Sequence, residues 1–138
     1  MGVISSVRAF FSILADAAAV AKTLREVERA RWVEGPATLV ARLRERGKNE
    51  DPRSSSARRR LLRLIHHLDR LMKGGPNCYR RSLTRVALDR ASADEPFVLG
   101  LNLRPPPGGE AAPSTNEPGH AWLDGTEPGA RYDVEFRL

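Results

Sequence analysis

Residues 74–103, GGPNCYRRSLTRVALDRASADEPFVLGLNL, run from a turn into a helix and on toward a strand, and the lone cysteine of the chain, Cys78, stands at the first junction. Gly74 and Gly75 end one helix, as glycine does just past a C-terminus. Pro76-Asn77 starts the next, over roughly 77–91, with Asn77 as N-cap and Tyr79, Leu83, Val86 and Ala87 as its buried face. PFVLGLNL (96–103), rich in Val, Leu and Phe, reads as a strand. A turn therefore sets a thiol at a helix N-terminus. The sulfur either fills apolar space, as free cysteine most often does, or is held there as a nucleophile.

Upstream of this stretch the texture is helical. Residues 3–31 form an apolar helix in which Arg and Glu arrive late. Gly35-Pro36 is a stop followed by a favoured first helical position, so a second helix runs from Pro36 to Gly47. KNEDPRSSS (48–56) is a polar connector whose serines can cap the next helix. In that third helix Leu61, Leu64, Ile65, Leu68, Leu71 and Met72 recur at spacings of three and four, an amphipathic stripe.

Downstream the texture changes. RPPPGGEAAPSTNEPG (104–119) holds too much Pro and Gly for regular structure, and loops of this length are usually functional or disordered. HAWL (120–123), a turn region DGTEPG (124–129) and ARYDVEF (130–136) read as a hairpin. Helices first and an antiparallel sheet last predict an α+β fold. With 138 residues the chain suits one domain, divided into an N-terminal helical part (1–54) and a core (55–138).

The composition, 41% hydrophobic and 29% charged, is that of a soluble globular protein. One cysteine excludes an internal disulfide and fits a reducing compartment such as the cytoplasm. The net charge of +6 is unevenly spread: residues 1–91 carry 20 Lys/Arg against 9 Asp/Glu, residues 92–138 carry 3 against 8. The basic part suits nucleic acid, an anionic surface or an acidic peptide, or is a solvated set of Arg-bearing faces. ARRRLLRL (57–64) reads as such a solvated face opposite the Leu stripe. VISSVRAFFSILADAAAVAK (3–22) lacks the basic n-region of a signal peptide and is interrupted by Arg8 and Asp16, so it reads as an amphipathic helix and not a membrane span.

The partner test for Cys78 is His120. If the hairpin is centred between Thr126 and Glu127, His120 lies directly opposite Asp133, with Cβ atoms about 5 Å apart. His120, Trp122, Arg131 and Asp133 then share one face, and Ala121, Leu123, Tyr132, Val134 and Phe136 the other, apolar one. A turn at Asp124-Gly125 would instead pair His120 with Gly129 and leave Asp124 as the alternative acid. Cys, His and Asp in this order are the parts of a thiol catalytic triad: the imidazole takes the thiol proton and the carboxylate orients the imidazole. Candidate catalytic residues are thus Cys78, His120 and Asp133. Trp122, beside the base, and Arg81, one turn past the thiol, are the candidate substrate-binding residues. Trp32 and Tyr79 read as packing residues, Trp32 in the core or at a partner contact.

The segment GGPNCYRRSLTRVALDR (74–90), the strand reaching Gly100, GHAWLDG (119–125) and an Asp 13 residues after the His resemble the stand-alone leader peptidases of lasso-peptide biosynthesis. The resemblance covers roughly residues 55–136. It is most specific at Cys78 with Arg81-Ser82-Leu83 and at His120-Ala121-Trp122. It implies a transglutaminase/papain-like core with the Cys helix packed on a small antiparallel sheet. It further implies Cys78 as nucleophile, His120 as base, Asp133 as orienter, and proteolytic removal of a leader from a ribosomally made precursor. A separate leader-binding protein would deliver the precursor, and a lasso cyclase would close the freed core peptide. Other acyl-transfer chemistry on the same triad, or a non-catalytic basic helical module binding nucleic acid or a partner protein, are the alternatives.

No cofactor is implied. His66 and His67 are adjacent on a helix and point about 100° apart, poor geometry for one ion, and neither a metal-ligand spacing nor a glycine-rich phosphate loop occurs.

Overall fold

A computed structural model describes residues 2–101, 119–124, 132 and 134–138. The most buried helix is the one that carries the cysteine. The five helices are α1 (Gly2–Ala30), α2 (Pro36–Lys48), α3 (Ser55–Arg70), α4 (Cys78–Leu88) and the short α5 (Arg90–Ala93). The strands are β1 (Phe97–Leu101), β2 (Gly119–Leu123) and β3 (Val134–Arg137). The fold is α+β. α4 packs against α1, α2, α3, α5 and β2. For that reason it is buried beyond the single face its apolar spacing predicts: Arg80, Ser82, Thr84 and Leu88 join Leu83, Val86 and Ala87 inside. Tyr79 is half-buried, its ring edge-on to Phe97.

The core joins Val20, Leu24 and Val27 of α1, Leu39, Val40 and Leu43 of α2, and Leu61 and Ile65 of α3 to α4, Phe97 and Leu123. Each such side chain contributes about 1.5–3 kcal/mol on burial. In α3 the cap is Ser54, whose hydroxyl accepts from the Ala57 N–H. The helix stops at Arg70, so Leu71 leaves the stripe and is 81% exposed. Gly74 and Gly75 then turn the chain at φ +92° and +77°, the left-handed region that glycine adopts without cost.

Three expectations are corrected. Gly47 does not stop α2; it lies within the helix, buried, where a Cβ would come within 1.9 Å of the Val86 carbonyl oxygen. The glycine serves the close crossing of α2 on α4. The helix expected over 77–91 breaks at Asp89, which is extended (φ −125°, ψ 112°) and caps α5 through the Ser92 N–H. Of the two settings expected for Trp32 only the core is excluded: it is 75% exposed, with the Arg31 guanidinium 4.7 Å from its ring centroid.

α1 behaves as two halves. Burial begins only at Asp16, whose carboxylate accepts from Arg53 (3.0 Å) and Arg60 (3.2 Å) beside the start of α3. Residues 2–15 are exposed throughout, including Val3, Ile4, Phe10 and Phe11. By length and composition alone, α1 meets the criterion for a membrane span, with an 18-residue window of mean hydropathy 1.6 despite Arg8 and Asp16. A signal sequence meets the same criterion.

The sheet is antiparallel with strand order β2-β1-β3. The expected hairpin between the second and third strands is therefore not formed: β1 lies between them, so Gly100 faces His120 on one side and Glu135 on the other. Tyr132 also departs from its expected apolar face, its ring joining those of His120 and Trp122. Ala121 and Leu123 do face the core.

Candidate active site

Asn77 begins α4 as an extended residue whose side-chain oxygen accepts from the Arg80 N–H at 3.0 Å. Cys78 is thereby the first helical residue, where unpaired N–H groups and the helix dipole favour negative charge on a thiol. What holds this N-terminus in place is a buried ion cluster. Asp69, fully buried at the end of α3, accepts from the Asn77 N–H (2.8 Å) and from Arg80 Nε (2.5 Å). Arg80, 2% exposed, also donates to Glu28 of α1 (2.8 Å) and to the Gly75 carbonyl (2.8 Å). Burial alone would lower the Arg80 pKa, but the hydrogen bonds to Glu28 and Asp69 outweigh it and the net shift is upward. Two helices, the turn and the start of α4 are fixed by one guanidinium.

The strand side is equally determined. Asp124 N–H donates to the Pro96 carbonyl (2.9 Å). By antiparallel alternation, residues 120, 122 and 124 then bond toward β1, and the N–H and C=O of Ala121 point out from the free edge of β2. α4 covers that edge. The Ala121 N–H donates to Cys78 Sγ at 3.4 Å and the Ser82 hydroxyl donates to the Ala121 carbonyl at 3.2 Å. His120 precedes Ala121 directly, so its Cα is no more than about 6 Å from the sulfur. Cys78 and the strand of His120 are brought together by contacts one helical turn apart.

His120 lies in an aromatic group: its ring centroid is 5.9 Å from that of Trp122 and 6.2 Å from that of Tyr132, with rings inclined by 21° and 7°. Trp122 is 4% exposed and stacks on Tyr132 at 5.4 Å. Gly100, opposite His120, makes the room. A Cβ there would meet the Tyr132 ring at 2.4 Å and Trp122 at 2.8 Å. The glycine is needed for space, since its φ is not in the left-handed region.

The chain matches no protein-family model, no curated protein and no solved structure.

Of the other predicted site residues, Arg81 lies beside Cys78 on the wall of a cleft of about 290 Å³, its Nε 3.9 Å from Asp69. Asp124 is bonded to Arg137 of β3, four residues along the strand from His120. Asp133, Arg131 and the loop 104–118 lie outside the described residues. Arg80 is not on the buried face expected for α4 (Tyr79, Leu83, Val86 and Ala87), yet it is 2% exposed. The signal was Asp69, the one acid of α3, in phase with Leu61 and Ile65 on the apolar stripe.

Proposed function

We propose that this chain is a cytoplasmic cysteine peptidase on a transglutaminase-like core, which removes the leader from a ribosomally made lasso-precursor peptide. A leader-binding protein presents the precursor and a lasso cyclase takes the freed core. The observation that carries the reading is the N–H of Ala121, next to His120, on the sulfur of Cys78 at the start of α4. The single cysteine supports a reducing compartment.

The chemistry uses these groups in turn. His120 accepts the thiol proton, and the Cys78 sulfur attacks the scissile carbonyl. Collapse of the tetrahedral intermediate forms a leader thioester, while imidazolium protonates the departing amine of the core peptide. Water, deprotonated by His120, hydrolyses the thioester to the leader carboxylate and the free thiol. Asp133 orients the imidazole, Trp122 packs beside it and Arg81 binds substrate. Only thiol, imidazole and water are consumed or regenerated.

Mass spectrometry of the precursor incubated with its leader-binding protein and this chain tests the proposal. Wild type removes the leader. Cys78→Ala does not, and His120→Ala loses about 10³-fold or more of the rate. Equal cleavage by Cys78→Ala contradicts the nucleophile assignment. A non-catalytic basic module is the second reading, favoured by exposed Arg59, Arg63 and Arg70 on α3. It predicts steeply salt-dependent binding that survives Cys78→Ala.

A further inference from the structure

The exposed large side chains of the first half of α1 are not scattered. Val3, Val7, Phe10 and Leu14 recur at spacings of three and four, with Ile4 and Phe11 on one flank and Ile13 on the other. The same exposed stripe continues after the helix enters the core, but its chemistry changes. Ala18 is followed by Lys22, Arg25 and Arg29, and then by Trp32 in the turn beyond. At about 100° per residue this face lies opposite the one that takes Asp16, Val20, Leu24 and Val27 inside. Ser12 and Asp16, which accept from Arg60 of α3, mark the inward side where the two halves join. The apolar stripe therefore points away from the protein's own interior. The carboxylates flanking the basic part are already engaged: Glu26 accepts from Arg42 and Arg46, Glu34 from Arg42, and Glu28 from Arg80. Lys22, Arg25 and Arg29 form no ion pair among the described residues.

We propose that this outward face of α1 seats the protein on an anionic lipid surface. The apolar stripe sinks below the headgroups, Lys22, Arg25 and Arg29 lie against their phosphates, and Trp32 sits at the boundary. Arg8, at the edge of the stripe, reaches the headgroups along its own stem. The exposed run, residues 2–15, is about 21 Å long and the hydrocarbon core is ~30 Å thick, so the helix lies on the membrane and does not cross it. Charge argues against a second copy in this place. Two such faces paired in parallel would set base against base, and paired antiparallel they would set base against apolar surface. Nor is the stripe a narrow helix-pairing seam, since from Ile13 to Ile4 it spans about half the circumference. α1 lends no residue to the cleft beside Cys78. The seat leaves that cleft open, and the proposal stands apart from the peptidase chemistry.

Flotation of the full chain with vesicles tests this, using equal parts phosphatidylglycerol and phosphatidylcholine against phosphatidylcholine alone. The chain is expected to bind the anionic vesicles at least about tenfold more tightly, and the preference to collapse at about 1 M salt, where the screening length is ~3 Å. Lys22→Gln, Arg25→Gln and Arg29→Gln each weaken that binding about fivefold. Phe10→Ser combined with Phe11→Ser weakens it at least about tenfold and leaves the circular dichroism and the urea midpoint unchanged, since neither ring is buried. Trp32 emission moves to the blue on the anionic vesicles, a change that Trp32→Phe abolishes. A full chain that stays unbound overturns the proposal. Equal binding to both kinds of vesicle, or anionic binding indifferent to the two Phe substitutions, also overturns it. A dimer in sedimentation equilibrium that the Phe substitutions return to monomer, without vesicle binding, overturns it in favour of a second copy. None of these outcomes alters the test of the nucleophile by Cys78→Ala.

Discussion

Asp69 has no exposed surface, and its two oxygens hold Arg80 and the N–H of Asn77, the residue that caps the cysteine helix. Removing one member of a buried pair leaves the other as an uncompensated charge. Asp69→Asn is expected to cost about 3 kcal/mol, read as a lower urea midpoint at unchanged slope, with Glu28 retaining part of the Arg80 charge. The same substitution loosens the start of α4 and should lower the reactivity of Cys78. Gly100→Ala tests the other half of the site. Its methyl group displaces Tyr132 and Trp122 from beside His120. Leader removal is expected to fall at least tenfold while the helical signal in circular dichroism is retained. At this scale the cap was legible in the sequence, since Asn after Pro and before a periodic segment is a local signal. The partner of Arg80 was not, because a contact 11 residues away and another 52 away depend on how α1, α3 and α4 meet.

Among the elements, α2 and α4 cross where Gly47 has no side chain. In an open helix Gly→Ala stabilises by about 1 kcal/mol. Here the methyl group meets the Val86 carbonyl, so Gly47→Ala is expected to destabilise by about 2 kcal/mol or more, measured by thermal or urea unfolding. α1 supplies the opposite case. Deleting residues 2–11 removes no buried side chain, so the unfolding free energy of the remainder should change by less than about 0.5 kcal/mol. The helices were readable from apolar spacing and from Gly, Pro and Ser signals at their ends. Strand order was not. HAWL and the strand Val134–Arg137 follow one another along the chain, yet both pair with β1, because period-2 patterning fixes which side chains share a face and not which strand is the neighbour. A glycine inside α2 likewise reads as a stop until the helix it touches is known.

For the whole molecule, stability should depend on acid in a direction set by its carboxylates. Burial pushes Asp89 upward, but the Ser92 hydroxyl and Arg58 (2.7 Å) outweigh it and hold it below its ordinary value. Glu26 is likewise held low, chiefly by Arg42. A carboxylate depressed in the folded state binds fewer protons there than in the unfolded chain. Its contribution is complete above the ordinary carboxylate range and is lost as the pH falls through the lowered value. The urea midpoint is therefore expected to hold from pH 7 to about 5 and to drop below about pH 4, and Asp89→Asn should flatten that drop. The basic N-terminal part and acidic C-terminal part meet along this architecture, as Arg58 with Glu95 illustrates.

The central claim is that Cys78 and His120 work as a pair, and the pH dependence of iodoacetamide alkylation tests it without precursor or partner. Cys78 is expected to react at its plateau rate already near pH 7, well below the range of about 8.5 in which an ordinary thiol ionises, and His120→Ala to move the rise toward that range. A rate that follows an ordinary thiol in the wild type, unchanged by His120→Ala, would contradict the pairing and leave Cys78 as a packing residue at the start of α4.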